Sequence, residues 1–323
     1  MKLIILTAVI IFFAMNMGAS GIAPAFAAAY GGKLIRRRTA FILFPVFVVI
    51  GALALGRNVS LTLGKGLIPP AYLNVDTVLI IMISSAACLF LANVLKIPQS
   101  TSQVTVGAIA GAGMHFQHLY SKALLAKILP AWVILPVLSF ALTFVLFRGM
   151  YPPRPANLRV YEKILVHERK LTVVAVAVSC YVAFAIGSNN VANAVGPLSG
   201  AGIIGVLPGL LSIAPIFGVG ALCMGKGTLE TAGKGIVPLG VFTGTLVSFV
   251  TATLLIAASI IGIPQSLVQL NVFALLAVSC LKNGHRSTLD MHVTKKTFVV
   301  WAITPVFSMV MTYCLLYLFN TSR

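Results

Sequence analysis

Long apolar runs alternate with short polar stretches along the whole chain, and each run approaches the length that lets a helix cross a bilayer. At about 1.5 Å of rise per residue, roughly 20 apolar residues cover the ~30 Å hydrocarbon core. Such runs occupy roughly residues 3 to 29, 39 to 56, 77 to 95, 100 to 116 and 129 to 147, and the order repeats from about 172 to 319. The pattern predicts an all-α polytopic membrane protein of about ten segments. Between the two sets lies Arg148 to Lys170, with Pro152, Pro153 and Pro155 and the acidic Glu162 and Glu168, a composition that reads as a linker.

The repetition is one of residues as well as hydropathy. Displaced by 169 positions, Ala131-Trp132-Val133-Ile134-Leu135-Pro136 lies over Val300-Trp301-Ala302-Ile303-Thr304-Pro305, Gly64-Lys65-Gly66 over Gly233-Lys234-Gly235, and Gly18 over Gly187. A displacement of 166 aligns Ile97-Pro98-Gln99-Ser100 with Ile263-Pro264-Gln265-Ser266. Several matches in one order identify an internal duplication. It divides the chain into a first transmembrane repeat, 1–148, a cytoplasmic linker, 149–170, and a second repeat, 171–323. It also bears on the first 29 residues, which imitate a secretory signal. Their counterpart deep in the chain assigns them to a structural helix instead.

Charge adds orientation. The formal net charge is +18, with Lys and Arg outnumbering Asp and Glu by 23 to 5. In a soluble chain this would point to nucleic acid, but here the basic residues sit between apolar runs, where they act as topology signals and meet anionic lipid; no nucleic-acid partner is expected. The turn with Lys33, Arg36, Arg37 and Arg38 is strongly basic and its counterpart near Gly202 to Pro208 is uncharged, whereas the weakly basic Lys122 and Lys127 loop corresponds to one with Lys282, Arg286, Lys295 and Lys296. Matching loops thus differ as opposite sides of a membrane do, which predicts two inverted-topology repeats of about five segments each in the plasma membrane, the N-terminus outside.

Inverted repeats place substrate sites between the halves, at broken helices whose positive N-terminal ends face an anion. Two pairs of interrupted segments qualify: Gly18 to Gly21 with Gly187 to Asn190, and Pro98 to Gln103 with Pro264 to Gln269. Pro98 followed by Ser100, Thr101 and Ser102 is a helix start supplied with hydroxyls, a natural oxyanion cradle; simple capping is the alternative. Asn189, Asn190 and Asn193 within an apolar run must find partners or face a cavity, with helix-packing glue as their alternative role. The acidic residues Asp76, Glu162, Glu168, Glu230 and Asp290 and all five histidines fall in loops or at span ends. No nucleophile with a base and no HExxH motif appears, so an enzyme is not expected. The five cysteines have no metal spacing, and neither metal nor other cofactor is expected.

These residues carry a resemblance. Gly187-Ser188-Asn189-Asn190-Val191-Ala192-Asn193-Ala194-Val195-Gly196-Pro197 is similar to the signature GANDVANA of the inorganic phosphate transporter (PiT) family, which occurs once in each half, and Ile97-Pro98-Gln99-Ser100-Thr101-Ser102 resembles that family's second motif, PVSTTH. The resemblance implies an inverted-repeat secondary transporter, commonly a homodimer, holding a tetrahedral oxyanion near the PVSTTH-like helix starts and cations at the signature Asp. Here that Asp is Asn190, and the first half has Ser20, Gly21 and Pro24 where the family has Asn, Asp and Asn. The departures look like the sulfate permease branch of the family. Sulfate near neutral pH carries no proton and wants donors only, which suits a site without carboxylates. The candidate substrate-binding residues are Ser20, Ser100, Thr101, Ser102, Gln103, Asn189, Asn190, Asn193, Ser266 and Gln269. Sulfate import by alternating access is the expectation, with a proton or sodium as coupling cation; phosphate transport and an anion channel are the alternatives.

Overall fold

A computed structural model describes residues 1–94, 99–151, 168–236, 240–285, 288 and 292–319. Pro98, most of the proposed linker, Arg286 and Asp290 lie outside the described residues. The first half contains α1 (Lys2–Gly31), α2 (Arg37–Lys65), α3 (Val75–Val94), α4 (Thr101–His115) and α5 (Leu129–Arg148), the last entered through a π-helical turn, Leu124–Ile128. The second contains α6 (Glu168–Asn190), α7 (Ala192–Gly200), α8 (Val206–Met224), α9 (Lys226–Ile236), α10 (Val241–Ile260), α11 (Leu267–Asn283) and α12 (His292–Leu318). No strand occurs among the described residues.

Eight helical stretches among the described residues are long and apolar enough to cross a membrane. The segments after Pro98 and Pro264 are not among them: α4 has 15 residues and α11 has 17. At about 1.5 Å per residue neither reaches the ~30 Å of a full crossing. The polarity of the bundle is that of a protein dissolved in lipid. Val133, Ile134, Val137 and Val145 of α5 and Ile42, Val46, Ile50 and Leu53 of α2 are exposed, while Ser84, Ser85, Thr105, Ser188, Asn189 and Asn193 are buried. The hydrocarbon takes the place of a second apolar layer, so the costly polar side chains turn inward, where partners exist.

The duplication is repeated in the contacts, and the two halves are interlocked. An added Cβ at Gly18 of α1 would strike the Phe217 carbonyl oxygen of α8, and one at Gly187 of α6 would strike that of Val48 in α2. Gly51 against Phe184 and Gly220 against Met15 form a second such pair. In each pair the second contact is the first displaced by 169 positions on both sides. Ser139 of α5 donates to the Leu270 carbonyl of α11 (2.9 Å), and its counterpart Ser308 of α12 donates to the Val104 carbonyl of α4 (2.8 Å). The ends match too: Lys33 after α1 and Gly202 after α7 both have positive φ, 57° and 68°. Small residues let the backbones touch where dispersion must substitute for the hydrophobic effect.

One expectation is modified. The Gly18 to Gly21 segment is an unbroken part of α1, and at the corresponding place only Val191 interrupts α6 and α7, itself with right-handed helical angles (φ −60°, ψ −33°). The glycines serve close crossing of helices, not unwinding. Of the two expected pairs, interruptions fall at the starts of α4 and α11, and a further one falls at Gly225, which divides α8 from α9 where the first half has the single helix α2.

Candidate functional site

The starts of α4 and α11 are alike. Ser100 has extended backbone angles (φ −93°, ψ 114°) and its Oγ accepts from the Gln103 N–H; Ser266 (φ −88°, ψ 111°) accepts from the Gln269 N–H, both at 3.2 Å. This capping satisfies one of the orphan donors of each first turn and leaves the N–H groups of Thr101 and Ser102, and of Leu267 and Val268, without acceptors in their own helices. Each helix start adds roughly half a positive charge.

Both starts open on one cavity of about 420 Å³. Ser20, Gly21, Ala23 and Pro24 of α1 and Asn190 of α6 line it, together with Gln99, Ser100, Thr101, Ser266 and Asn271; apolar side chains such as Leu89 and Val272 complete the wall. At about 30 Å³ per water, the space holds a tetrahedral oxyanion with several waters. No ionisable side chain lines it among the described residues. Its polar complement is hydroxyls, amides and helix N-termini, and two acceptor atoms there, Gln99 Oε1 and Asn190 Oδ1, are buried with no partner. A carboxamide can present its NH2 instead of its oxygen, so each can turn a donor to an anion.

Five of the ten candidates therefore meet at the cavity: Ser20, Ser100, Thr101, Asn190 and Ser266. The other five stand behind its wall. Ser102 Oγ donates to the Gln265 carbonyl (3.2 Å), and Asn193 Nδ2 donates to Thr101 Oγ1 (3.2 Å) and Ser102 Oγ (3.3 Å). Asn189 Nδ2 donates to Ser259 Oγ and the Ile263 carbonyl, both at 3.0 Å, while its Oδ1 accepts from the Gln265 N–H at 2.9 Å. Gln103 and Gln269 contribute backbone N–H groups to the caps, and their side-chain oxygens are buried without partners. Gln99 and Asn271 were not among the candidates. Gln99 recurs as Gln265 in the duplicated motif, and Asn271 lies one helical turn beyond Leu267, so periodicity from the second cap would have found it.

Lipid-facing helices around a donor-lined cavity are the architecture of a multi-pass membrane protein of the transporter class. The comparisons agree. The model of the phosphate transporter family matches residues 17–160 and 150–312, one stretch to each half. The sulfate permease CysP of Bacillus subtilis (strain 168) is 37% identical over 314 residues, covering 96% of this chain and 86% of that protein. Sodium-dependent phosphate transporter 2 of Cricetulus griseus is 30% identical over 141 residues, 40% of this chain and 21% of that protein. A solved structure described as the sodium-dependent phosphate transporter superposes with a TM-score of 0.85 at 22% identity, covering 100% of both chains, a likeness of fold. The chain belongs to the phosphate transporter family and is a permease of that family.

Proposed function

We propose that this permease imports inorganic sulfate by alternating access, the two repeats facing opposite ways across the plasma membrane with the N-terminus outside. One observation carries the substrate: two capped helix N-termini, with neutral hydroxyls and amides, share a cavity into which no carboxylate projects among the described residues. Together the helix ends supply on the order of one positive charge, and the fixed donors replace water around a dianion that has no proton to give. Phosphate, which keeps one or two protons near neutral pH, asks for an acceptor as well. The 37% identity to a protein named a sulfate permease favours the same reading.

The opposed orientation is supported by the pairing of charges. Arg37 at the start of α2 meets Glu230 of α9 (3.2 Å), whereas the duplication equates Glu230 with Leu61 near the other end of α2, so these equivalent positions lie at opposite ends of that helix, as opposed repeats would place them. Coupling is assigned to a proton or sodium held by amides and carbonyls, and the assembly to a homodimer. Uptake of labelled sulfate into proteoliposomes, with phosphate as competitor, tests the reading. Sulfate should accumulate at carrier rates and excess phosphate should compete weakly. Phosphate uptake without sulfate uptake would reassign the substrate, and a conductance far above carrier turnover would make the protein a channel.

A further inference from the structure

The halves differ at one pair of positions that matters for how the cavity opens. Displacement by 169 puts Ser20 and Pro24 of α1 where the second half has Asn189 of α6 and Asn193 of α7. Both asparagines are fully buried, at 0% exposure. Asn189 fastens α6 to the end of α10 and to the turn before α11 through Ser259, Ile263 and Gln265, and Ser188 Oγ adds a bond to Ser259 Oγ at 2.9 Å. Asn193 fastens α7 to the start of α4 through Thr101 and Ser102. Nothing comparable is available to Ser20 and Pro24. The Ser20 hydroxyl returns to its own helix, donating to the Asn16 and Met17 carbonyls (3.1 Å each), and Pro24 has no polar side-chain atom.

The cavity lies on the unfastened side. Ser20, Ala23, Pro24 and Gln99 line it, whereas their counterparts Asn189, Ala192, Asn193 and Gln265 do not and have 0% exposure, against 9% for Ala23. Along α1 its wall runs from Met17 to Pro24. At the closed end Gln265 has 0% exposure, and neither its Oε1 nor its Nε2 has a partner. Leaving such a group unmet is unfavourable, and exposure of the crevice would relieve it. The fastened side thus combines bonds that hold it shut with a buried amide that gains from opening.

We infer that Asn189 and Asn193 form a one-sided latch, which closes the second-half crevice and sets a resting conformation open on the Ser20 and Pro24 side. The inference rests on the alternating-access reading and gives it a direction: opening the other side breaks the latch, and the first half has no asparagine pair with which to form its equivalent. Both residues then act through α4 and the turn before α11 and are positioning residues, not anion ligands.

The test uses two reporters related by the duplication, Ala23→Cys on the open side and Ala192→Cys on the closed side, in full-length protein whose five native cysteines have been replaced and whose fold is checked by a sharp thermal transition. Rates of maleimide labelling are measured without substrate. Ala23→Cys should react rapidly and Ala192→Cys slowly; adding Asn189→Ser, which copies the first half, should raise the Ala192→Cys rate about tenfold and lower that of Ala23→Cys, as loss of two or more hydrogen bonds predicts. Ser259→Ala, which removes one partner and leaves Asn189 intact, should do the same to a smaller degree. Unchanged rates in both variants, or a rise at both reporters together, would overturn the latch. Because labelling needs no transported ion, a protein that fails to move sulfate can still show the latch, and one that moves it with unshifted labelling refutes the latch alone.

Discussion

Asn190 occupies the position at which the family signature has its Asp, and it projects a carboxamide into a cavity that has no carboxylate among the described residues. The difference of one atom changes the sign of what an anion meets. An ionised carboxylate a few ångströms from a bound dianion is repulsive, and the repulsion is large where water is partly excluded. Asn190→Asp should therefore raise the half-saturating sulfate concentration at pH 7 on the order of tenfold or more, measured by initial uptake rates in proteoliposomes. Unchanged uptake would remove Asn190 from the anion's path. Ser100 and Ser266 were legible in the chain because a cap has a local signature, Pro-Gln-Ser before a helix, and that signature occurs twice. The roles of Asn189 and Asn193 were not legible. Their partners Ser259 and Thr101 are 70 and 92 positions away, and only folding decides whether an amide in an apolar run meets a ligand or a neighbouring turn.

Among elements, the crossings of α1 with α8 and of α2 with α6 hold the closest glycine-to-backbone approaches among the described residues. Gly18 and Gly187 are equivalent by the duplication and press on equivalent carbonyls, so they should respond alike to the same insult. Gly18→Ala and Gly187→Ala should each destabilise by about 1–3 kcal/mol, the usual cost of forcing an extra methyl into a packed contact. Gly227→Ala in α9, where an added Cβ meets open space, should change stability by less than ~1 kcal/mol and can stabilise by restricting the unfolded chain. Thermal unfolding in detergent of the three variants checks this, and an effect confined to one of the two crossing glycines would contradict the equivalence. The apolar runs foretold most helices to within a few residues, but α2 extends to Lys65, well past the expected end near residue 56. Arg57 and Lys65 can be helical because they sit beyond the part of the helix that must be apolar, and charged ends of long helices reach the interface.

At the scale of the whole molecule, the charge pattern and the contacts between halves make one topological prediction. If the repeats are opposed, a tag ahead of Met1 reacts with a membrane-impermeant reagent added outside intact cells, and a cysteine introduced in the turn of Lys33 to Arg38 reacts only after the membrane is opened. Labelling of both from one side would show the repeats to be oriented otherwise.

Hydropathy, composition and self-similarity determined by themselves that the chain lives in lipid, that it is built twice over, and that each copy contains a capped helix start rich in hydrogen-bond donors. These properties are local or periodic, and they survive being read one residue after another. Tertiary structure alone decided that Gly18 and Gly187 serve contact between helices and not unwinding, that the caps of α4 and α11 share one cavity, and that the crevice is fastened on one side only. Each depends on which backbone comes to lie beside which, and a small residue or a buried amide is compatible with either use until its neighbour is in place.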